Sequence, residues 1–204
     1  MGAAFRRGCA GHLQHHGIAS WRLGREHGSI PVQKELQQVR RKTGDFDLIE
    51  RTVKQLGKDG LLLVAGKLGN PMTIGWGNIG IIWGRPVFLV LVRPSRFTFG
   101  LMEETDEFTV NVPTDSQKKE VLLCGTMSGR DTDKIEKCAF TLAKSATVSV
   151  PHIRECPIHY ECRTIHKNNV INAQLNREIV AGSYKAGDYH TIYFGQILGV
   201  YQEL

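Results

Sequence analysis

Hydrophobic and polar positions alternate along this chain in short segments, and the pattern predicts mainly strands. Eight segments are rich in apolar residues and bounded by turn residues such as Gly, Pro and Asn, which is typical of strands. They cover residues 60–67, 72–77, 86–93, 108–113, 146–151, 158–167, 177–188 and 189–202. The strands therefore fall into an early group and a late group along the chain.

Amphipathic segments before and between the strands predict helices. The apolar face of the helix at 45–60 consists of Phe46, Ile49, Val53 and Leu56. That helix is expected to end at Gly57, and a helix at 95–107 is expected to begin with a capping serine, Ser95. Three more predicted helices cover residues 32–42, 115–129 and 130–140.

This order of elements favours a mainly β fold with α, an antiparallel barrel with helices flanking its ends. A parallel doubly wound sheet needs a helix between most strands, and none is predicted between the opening strands at 60–93 or between the closing strands at 146–202. No GxGxxG segment joins a strand to a helix, so a Rossmann fold is disfavoured as well.

Composition and charge indicate one soluble domain without a nucleic-acid or membrane partner. The 204 residues are 41% hydrophobic, and the longest apolar runs are far shorter than the roughly 18 to 20 residues that span a bilayer. Half of the net charge of +6 lies in residues 1–30, so no basic stripe is indicated. We expect residues 1–30 to be a disordered or misannotated N-terminal extension, residues 31–204 to form the domain, and the protein to be cytoplasmic.

Cysteine and histidine positions predict neither a disulfide framework nor a metal site. The five cysteines are an odd number without a CxxC pair, which indicates a reducing compartment. Cys156 and Cys162 have His159 and His166 nearby, but small side chains on or beside a strand are the favoured interpretation. His12, His15 and His16 could bind metal weakly, yet a solvated tail is favoured there.

The segment "VRPSRFT" (92–98) is a candidate phosphate site at a strand end. Arg93 and Arg96 offer planar sets of donors, and Ser95 and Thr98 add hydroxyl groups beside a predicted helix N-terminus. A solvated junction with a capping serine is an equally good interpretation of the same residues.

A second loop, "GTMSGRDTDK" (125–134), gives a weaker phosphate signal. Ser128, Gly129 and Arg130, followed by Lys134, can present amides and positive charge, although two aspartates between them reduce the field. Asp131 could instead cap the following helix.

The segment "MTIGWG" (72–77) suits a flat aromatic ligand. Its small residues allow a ring to approach the main chain, Thr73 can donate from its hydroxyl, and Trp76 can stack. For Trp76 and for Trp83, taken singly, packing is the favoured role.

Five ordered motifs together carry a family resemblance. "MTIGWG", "WGRPVFLVLVRPSRFT", "FTVNVP", "CGTMSGRDTDK" and "GDYHTIYFGQIL" closely resemble the flavin reductase-like family of FMN-binding split barrels, and its flavoredoxin-like branch in particular. The resemblance covers roughly residues 45 to 202. It implies a homodimeric split β-barrel that binds FMN noncovalently near the dimer interface.

The resemblance also implies roles for particular residues. Thr73, Ile74 and Trp76 would line the isoalloxazine ring, and Asn111 would reach its polar edge. The residues implied at the phosphate and ribityl chain are Arg93, Ser95, Arg96, Thr98, Ser128, Gly129 and Lys134.

His190 resembles the histidine that many flavin reductases carry in a "GDH" segment near the nicotinamide path. Here Tyr189 is inserted between Asp188 and His190, so a catalytic and a structural role are both open.

The implied function is an NAD(P)H-dependent flavin reductase with NADH or NADPH as electron donor. The alternatives are a flavoredoxin-like carrier that a redox protein partner reduces, or a flavin- or haem-binding protein without turnover.

Overall fold

The structure is a computed structural model that describes residues 40–203. These residues belong to one compact unit. The predicted N-terminal extension, its three histidines and most of the predicted helix at 32–42 lie outside the described residues. The end of that helix prediction is wrong, because residues 40–42 begin a strand.

Ten strands and five α-helices form within residues 40–203, together with two 3₁₀ turns at Asp115–Gln117 and Asn172–Gln174. The strands are β1 Arg40–Thr43, β2 Leu61–Ala65, β3 Asn70–Ile74, β4 Gly77–Ile82, β5 Arg85–Val92, β6 Glu107–Val112, β7 Leu142–Ala143, β8 His152–Ile153, β9 Ile158–Asn169 and β10 Thr191–Glu203. The helices are α1 Ile49–Lys58, α2 Phe97–Glu104, α3 Lys118–Thr126, α4 Lys134–Lys137 and α5 Arg177–Ser183.

Eight strands form one antiparallel sheet in the order β3-β2-β6-β9-β10-β5-β4, with β1 added to β10. The register of β10 against β9 shifts at Phe194/Gly195 and at Ile197/Gly199, so the two longest strands bend together. A side chain at Gly195 would lie 2.3 Å from the Phe108 ring, so this bend depends on glycine. The bend curves the sheet around its core.

The sheet is covered on both faces. One core lies inside the curve and includes Phe88, Phe108 and Tyr193. A second core, which includes Val64 and Val150, lies on the opposite face and is formed with α3, α4 and the separate β7–β8 hairpin. Because successive side chains of a strand point to opposite faces, β2 and β6 are buried along nearly their whole length.

Two strand predictions in the late group are wrong, and besides β1 three strands were missed, namely β4 and the two-residue strands β7 and β8. Residues 146–151 form bends, and residues 177–183 form α5, which Asn176 caps by accepting a hydrogen bond from the Glu178 amide. Residues 77–82 form β4, whose glycines and asparagine weaken the strand pattern. Ser95 does not cap α2, because Arg96 occupies that position without a side-chain cap.

Helix α1 buries a more polar face than its apolar spacing predicts. Val53 is exposed, whereas Thr52, Gln55 and Leu56 are buried. The Thr52 hydroxyl lies 2.8 Å from the Tyr160 hydroxyl and ties the helix to β9. Among residues 40–203, no helix has both the length and the apolar character to cross a membrane.

Candidate functional site

Two adjoining clefts lie where β3 ends and α2 begins. The first has a volume of about 200 Å³ and is lined by Met72, Thr73, Ile74, Gly75, Trp76, Leu91, Arg93, Arg96, Gly125 and His190. The second has a volume of about 110 Å³ and is lined by Met72, Ser95, Arg96, Phe97, Thr98, Cys124, Gly125, Thr126, Met127, Ser128, Gly129, Arg130 and Lys134. Three residues line both, so the clefts form one continuous depression.

The wall of the first cleft is formed by the end of β3 and the residues that follow it. Ile74 is buried, whereas Trp76 is 45% exposed and turns its ring toward His190, with the ring centroids 5.1 Å apart. The Thr73 hydroxyl donates to the carbonyl of Val121, which anchors this wall to α3. A side chain at Gly77 would come within 2.8 Å of the Leu89 carbonyl. The first residue of β4, next to the cleft, must therefore be glycine.

His190 is a neutral, buried base or donor in the first cleft. Burial lowers its pKa to about 4, and the positive charge of Arg93 lowers the pKa further in the same direction. Its Nδ1 lies 2.8 Å from the hydroxyl of Tyr184, whose own pKa is raised by burial, so that hydroxyl keeps its proton. When Tyr184 donates this hydrogen bond, the ring proton of His190 resides on Nε2.

Arg93 points away from the second cleft. Its guanidinium donates to the carbonyls of Ser183 and Asp188, at 2.8 and 2.9 Å, and lies 5.0 Å from the centre of the Tyr184 ring. This differs from the phosphate contact expected for it. The planar donor set of arginine matches the converging carbonyls of the 183–188 loop, and Arg93 therefore fixes that loop.

Ser95 also forms hydrogen bonds with the 183–188 loop. Its hydroxyl donates to Asp188 Oδ2 at 2.6 Å and its amide donates to Oδ1 at 3.2 Å. Asp188 has a φ of 55°, a left-handed conformation that is uncommon outside glycine and more accessible to aspartate than to most residues. Ser95 therefore holds a strained residue at the edge of the clefts.

The second cleft is positively charged. Arg96 makes no side-chain hydrogen bond or ion pair with any residue of the described part of the chain, although its charge acts on both Lys134 and His190. Lys134 is buried and donates to the carbonyls of Pro71 and Cys124, at 2.9 and 3.0 Å. Burial lowers its pKa from the usual lysine value.

Arg130 adds a third cation to this cleft. Its guanidinium donates to the Ser95 carbonyl at 3.2 Å and lies 5.7 Å from the centre of the Phe97 ring. Asp133, not Asp131, caps the next helix by accepting hydrogen bonds from the amides of Ile135 and Glu136. The capping interaction engages the Asp133 carboxylate at the start of α4.

Close packing shapes the floor of the second cleft. Thr98 is buried, and its hydroxyl oxygen accepts a hydrogen bond from the Asn70 side-chain amide at 3.0 Å. A side chain at Gly129 would come within 2.2 Å of Asn70 Oδ1 and 2.6 Å of the Phe97 ring. The loop that carries Ser128 therefore packs directly on β3 and α2, which leaves its backbone near the cleft.

Comparison with known proteins identifies the family. The family model described as the flavin reductase like domain matches residues 61–204. The chain belongs to this family. An uncharacterized protein of Archaeoglobus fulgidus is 34% identical over 140 residues, which cover 68% of this chain and 69% of that protein.

Solved structures share the flavin reductase-like fold. Flavoredoxin from Methanosarcina acetivorans has a TM-score of 0.57 and 24% identity, with 71% of this chain and 68% of that chain covered. An FMN-binding domain of a flavin reductases-like enzyme from Shewanella baltica has a TM-score of 0.58 and 16% identity, with 83% and 80% covered. The predicted split-barrel fold is confirmed.

One predicted site residue of the flavin reductase-like domain lies elsewhere. Asn111 is fully buried in β6, on the face that the β7–β8 hairpin covers. Its amide donates to the Leu62 carbonyl and the Thr109 hydroxyl, and its Oδ1 accepts from the Ile153 amide at 2.9 Å. Asn111 therefore lies apart from both clefts, on a strand that is covered on both faces.

Several lining residues were absent from the set that the resemblance implies. Met72, Gly125 and Arg130 line the clefts, and Tyr184 contacts His190. Arg130 stood out in the sequence for its charge. Tyr184 gave no usable signal, because its segment was interpreted as a strand.

Proposed function

We propose that this chain binds FMN along the continuous depression and acts as an NAD(P)H-dependent flavin reductase. FMN has a flat ring system at one end and a phosphate at the other. The first cleft has an aromatic and apolar wall, and the second is lined by three cations. The observation that carries the proposal is Arg96, which lies at the junction of the two clefts and whose guanidinium has no hydrogen-bond or ion-pair partner among residues 40–203.

The residues present fit this cofactor. Thr73, Ile74 and Trp76 would lie against the ring system, and Trp76 is exposed enough to stack. Arg96 and Arg130 would neutralise the phosphate together with Lys134, beside the backbone of Ser128 and Gly129. Ser95 and Thr98 line the same cleft with their hydroxyls already engaged, so they contribute shape and orientation.

Bound FMN would supply the redox chemistry, with NADH or NADPH as the electron donor. The protein would position the cofactor and would hold one proton on the imidazole of His190. His190, held by Tyr184, keeps one ring proton in the first cleft at neutral pH. Because His190 is uncharged there, it would not repel the oxidised nicotinamide, whose ring is positively charged.

We also propose a homodimer. Ile81 and Trp83 are exposed on the β4–β5 hairpin, and the Trp83 ring contacts the rings of His166 and Phe194 at 5.5 and 5.7 Å. An apolar surface of this kind on β4, β9 and β10 suits a second copy of the chain. Light scattering at micromolar concentration should give twice the chain mass, and a monomer mass would contradict the dimer.

The experiment that tests the function is the visible spectrum of the purified protein, recorded before and after NADH or NADPH is added without oxygen. A yellow protein that bleaches would support the reductase, and the faster donor would identify the nicotinamide. A protein that stays yellow would favour a carrier reduced by another protein. A colourless protein that neither binds added FMN nor oxidises nicotinamide would overturn the proposal.

A further inference from the structure

A buried group of two histidines and a glutamate lies apart from the clefts. His152 is on β8, His159 is on β9 and Glu203 ends β10. One ligand atom from each lies within 4.8 Å of the other two. Their side chains are 1%, 0% and 9% exposed, and none of the three lines either cleft.

His159 is oriented by a carboxylate behind it. Its Nε2 lies 3.3 Å from Glu161 Oε1, two residues along the same face of β9. The Glu161 carboxylate also accepts hydrogen bonds from the amides of Ala146 and Thr147 and from the Thr147 hydroxyl. Glu161 is therefore an acceptor here, and Nε2 of His159 is the donor that faces it.

This hydrogen bond leaves the other nitrogen of His159 with a lone pair. Nδ1 is buried and has no hydrogen-bond partner among the described residues. Buried polar atoms are nearly always satisfied, by protein, water or an ion. An imidazole that donates one N–H to a carboxylate and directs its other nitrogen elsewhere is the usual form of a metal-bound histidine.

Two neighbouring rings pack against the imidazole of His159. His152 stacks on His159 with ring centroids 3.9 Å apart and planes inclined by 11°. Tyr201 stacks against His159 as well, at 5.2 Å. His152 Nε2 lies 3.9 Å from Glu203 Oε1, so the second histidine and the carboxylate converge on the same place.

We propose that His152, His159 and Glu203 bind one divalent transition-metal ion of the zinc class. Two imidazole nitrogens and one carboxylate oxygen form a ligand set that zinc uses, and a hard ion such as Mg²⁺ or Ca²⁺ prefers oxygen alone. The carboxyl groups of Glu203 and Glu161 lie beside the two imidazoles, and two carboxylates balance the charge of a dication.

Binding requires one of the two imidazole rings to turn out of the stack, because the lone pair of a ring nitrogen lies in the ring plane and the two planes are nearly parallel. Ligand atoms at zinc distances of about 2.0 to 2.2 Å in a tetrahedron lie roughly 3.3 to 3.6 Å apart, compared with the limit of 4.8 Å found here. The ion would join β8 to β9 and to the end of β10, and so attach the β7–β8 hairpin to the main sheet. A water molecule can take the fourth position.

The site differs from the metal set considered from the sequence. Cys156 belongs to the second core and Cys162 to the core inside the curve, on opposite faces of the sheet. They cannot share an ion. His159 is the only member of that set that joins the proposed site.

The test is calorimetric titration of the full-length protein with Zn²⁺ alone, after treatment with chelator and dialysis. We expect one zinc per chain and a higher unfolding temperature with zinc. His159→Gln and Glu203→Gln should each weaken binding at least about 100-fold, and Glu161→Gln, which removes only the orienting carboxylate, about 10- to 100-fold. A wild-type protein that binds no zinc would overturn the proposal.

The N-terminal histidines provide the control. A variant with His12, His15 and His16 changed to Asn should bind zinc as the wild type does. Loss of binding in that variant, with binding kept in His159→Gln, would place the ion in the tail and overturn the site. If the core variants do not fold, X-ray absorption of the zinc-loaded tail variant decides, because it must show two imidazole ligands.

Discussion

Two groups of polar side chains differ in how many partners the protein gives them. On the covered face of β6, Asn111 makes three hydrogen bonds within the protein. At the junction of the clefts, Arg96 makes none with the described residues. Arg93, only three residues away, resembles Asn111, because carbonyl groups already occupy its guanidinium. Residue type and position in a motif therefore do not decide which group is free for a ligand.

The largest expected effect is a loss of stability when the hydrogen bonds of Asn111 are removed. Asn111→Ala leaves the buried amide of Ile153 without its acceptor and should destabilise the protein by about 2 to 4 kcal/mol. Urea unfolding measures this change. Asn78→Ala, at an exposed asparagine on β4, should change stability by less than about 0.5 kcal/mol.

The FMN affinity of Asn111→Ala tests whether Asn111 belongs to the binding site. Under conditions where Asn111→Ala is folded, its FMN affinity should equal that of the wild type, since Asn111 lines neither cleft. A specific loss of FMN binding would show that Asn111 contacts the cofactor after all.

A smaller effect separates the two arginines. Arg96→Ala should weaken FMN binding by about 1.5 to 3 kcal/mol, roughly 10- to 150-fold, and leave riboflavin binding unchanged, because riboflavin has no phosphate. Arg93→Ala should weaken both ligands by the same factor, since Arg93 acts by fixing the 183–188 loop. Fluorescence titration with both ligands measures the four affinities. Discrimination between the ligands in Arg93→Ala would reverse our assignment.

The smallest effect concerns the pH dependence of stability. The pKa of His190 is about 4 in the folded protein and about 6.5 when exposed. Between these values the unfolded chain binds the extra proton, so stability falls as the pH decreases from 6.5 to 4. The loss from this residue between pH 7 and pH 5 should be about 1 to 2 kcal/mol.

Denaturant unfolding of His190→Gln at both pH values measures this contribution. The variant should lose that part of the pH dependence, which the wild type retains. Equal pH dependence in wild type and His190→Gln would contradict a buried neutral imidazole.

The fold was predictable from the sequence because its longest strands keep a clear pattern. The segments that became β2, β5, β6, β9 and β10 are apolar and bounded by turn residues, and the motifs fix their order. The strand prediction for residues 146–151 was wrong because an alternating pattern alone does not supply a neighbouring strand to pair with. The strand prediction for residues 177–183 was wrong because the apolar run in "REIVAGS" fits a short helix as well as a strand.

The candidate site was predictable as a set of segments, but the partners of each side chain were not. The ends of β3 and β5 and the 125–134 loop meet at the clefts, as the motifs imply. The sequence cannot show that Arg93 bonds to carbonyls 90 residues later, or that Asn111 faces the β7–β8 hairpin. Such contacts depend on tertiary packing between distant segments.

Arg93 also has a consequence for engineering. The 183–188 loop borders the first cleft, and its carbonyls are held by a side chain from a different strand. Transplanting a loop from a relative would therefore retain its conformation only if the recipient carries arginine at position 93. Loop and strand end form one exchangeable module, and chimeras should be designed with both parts from the same parent.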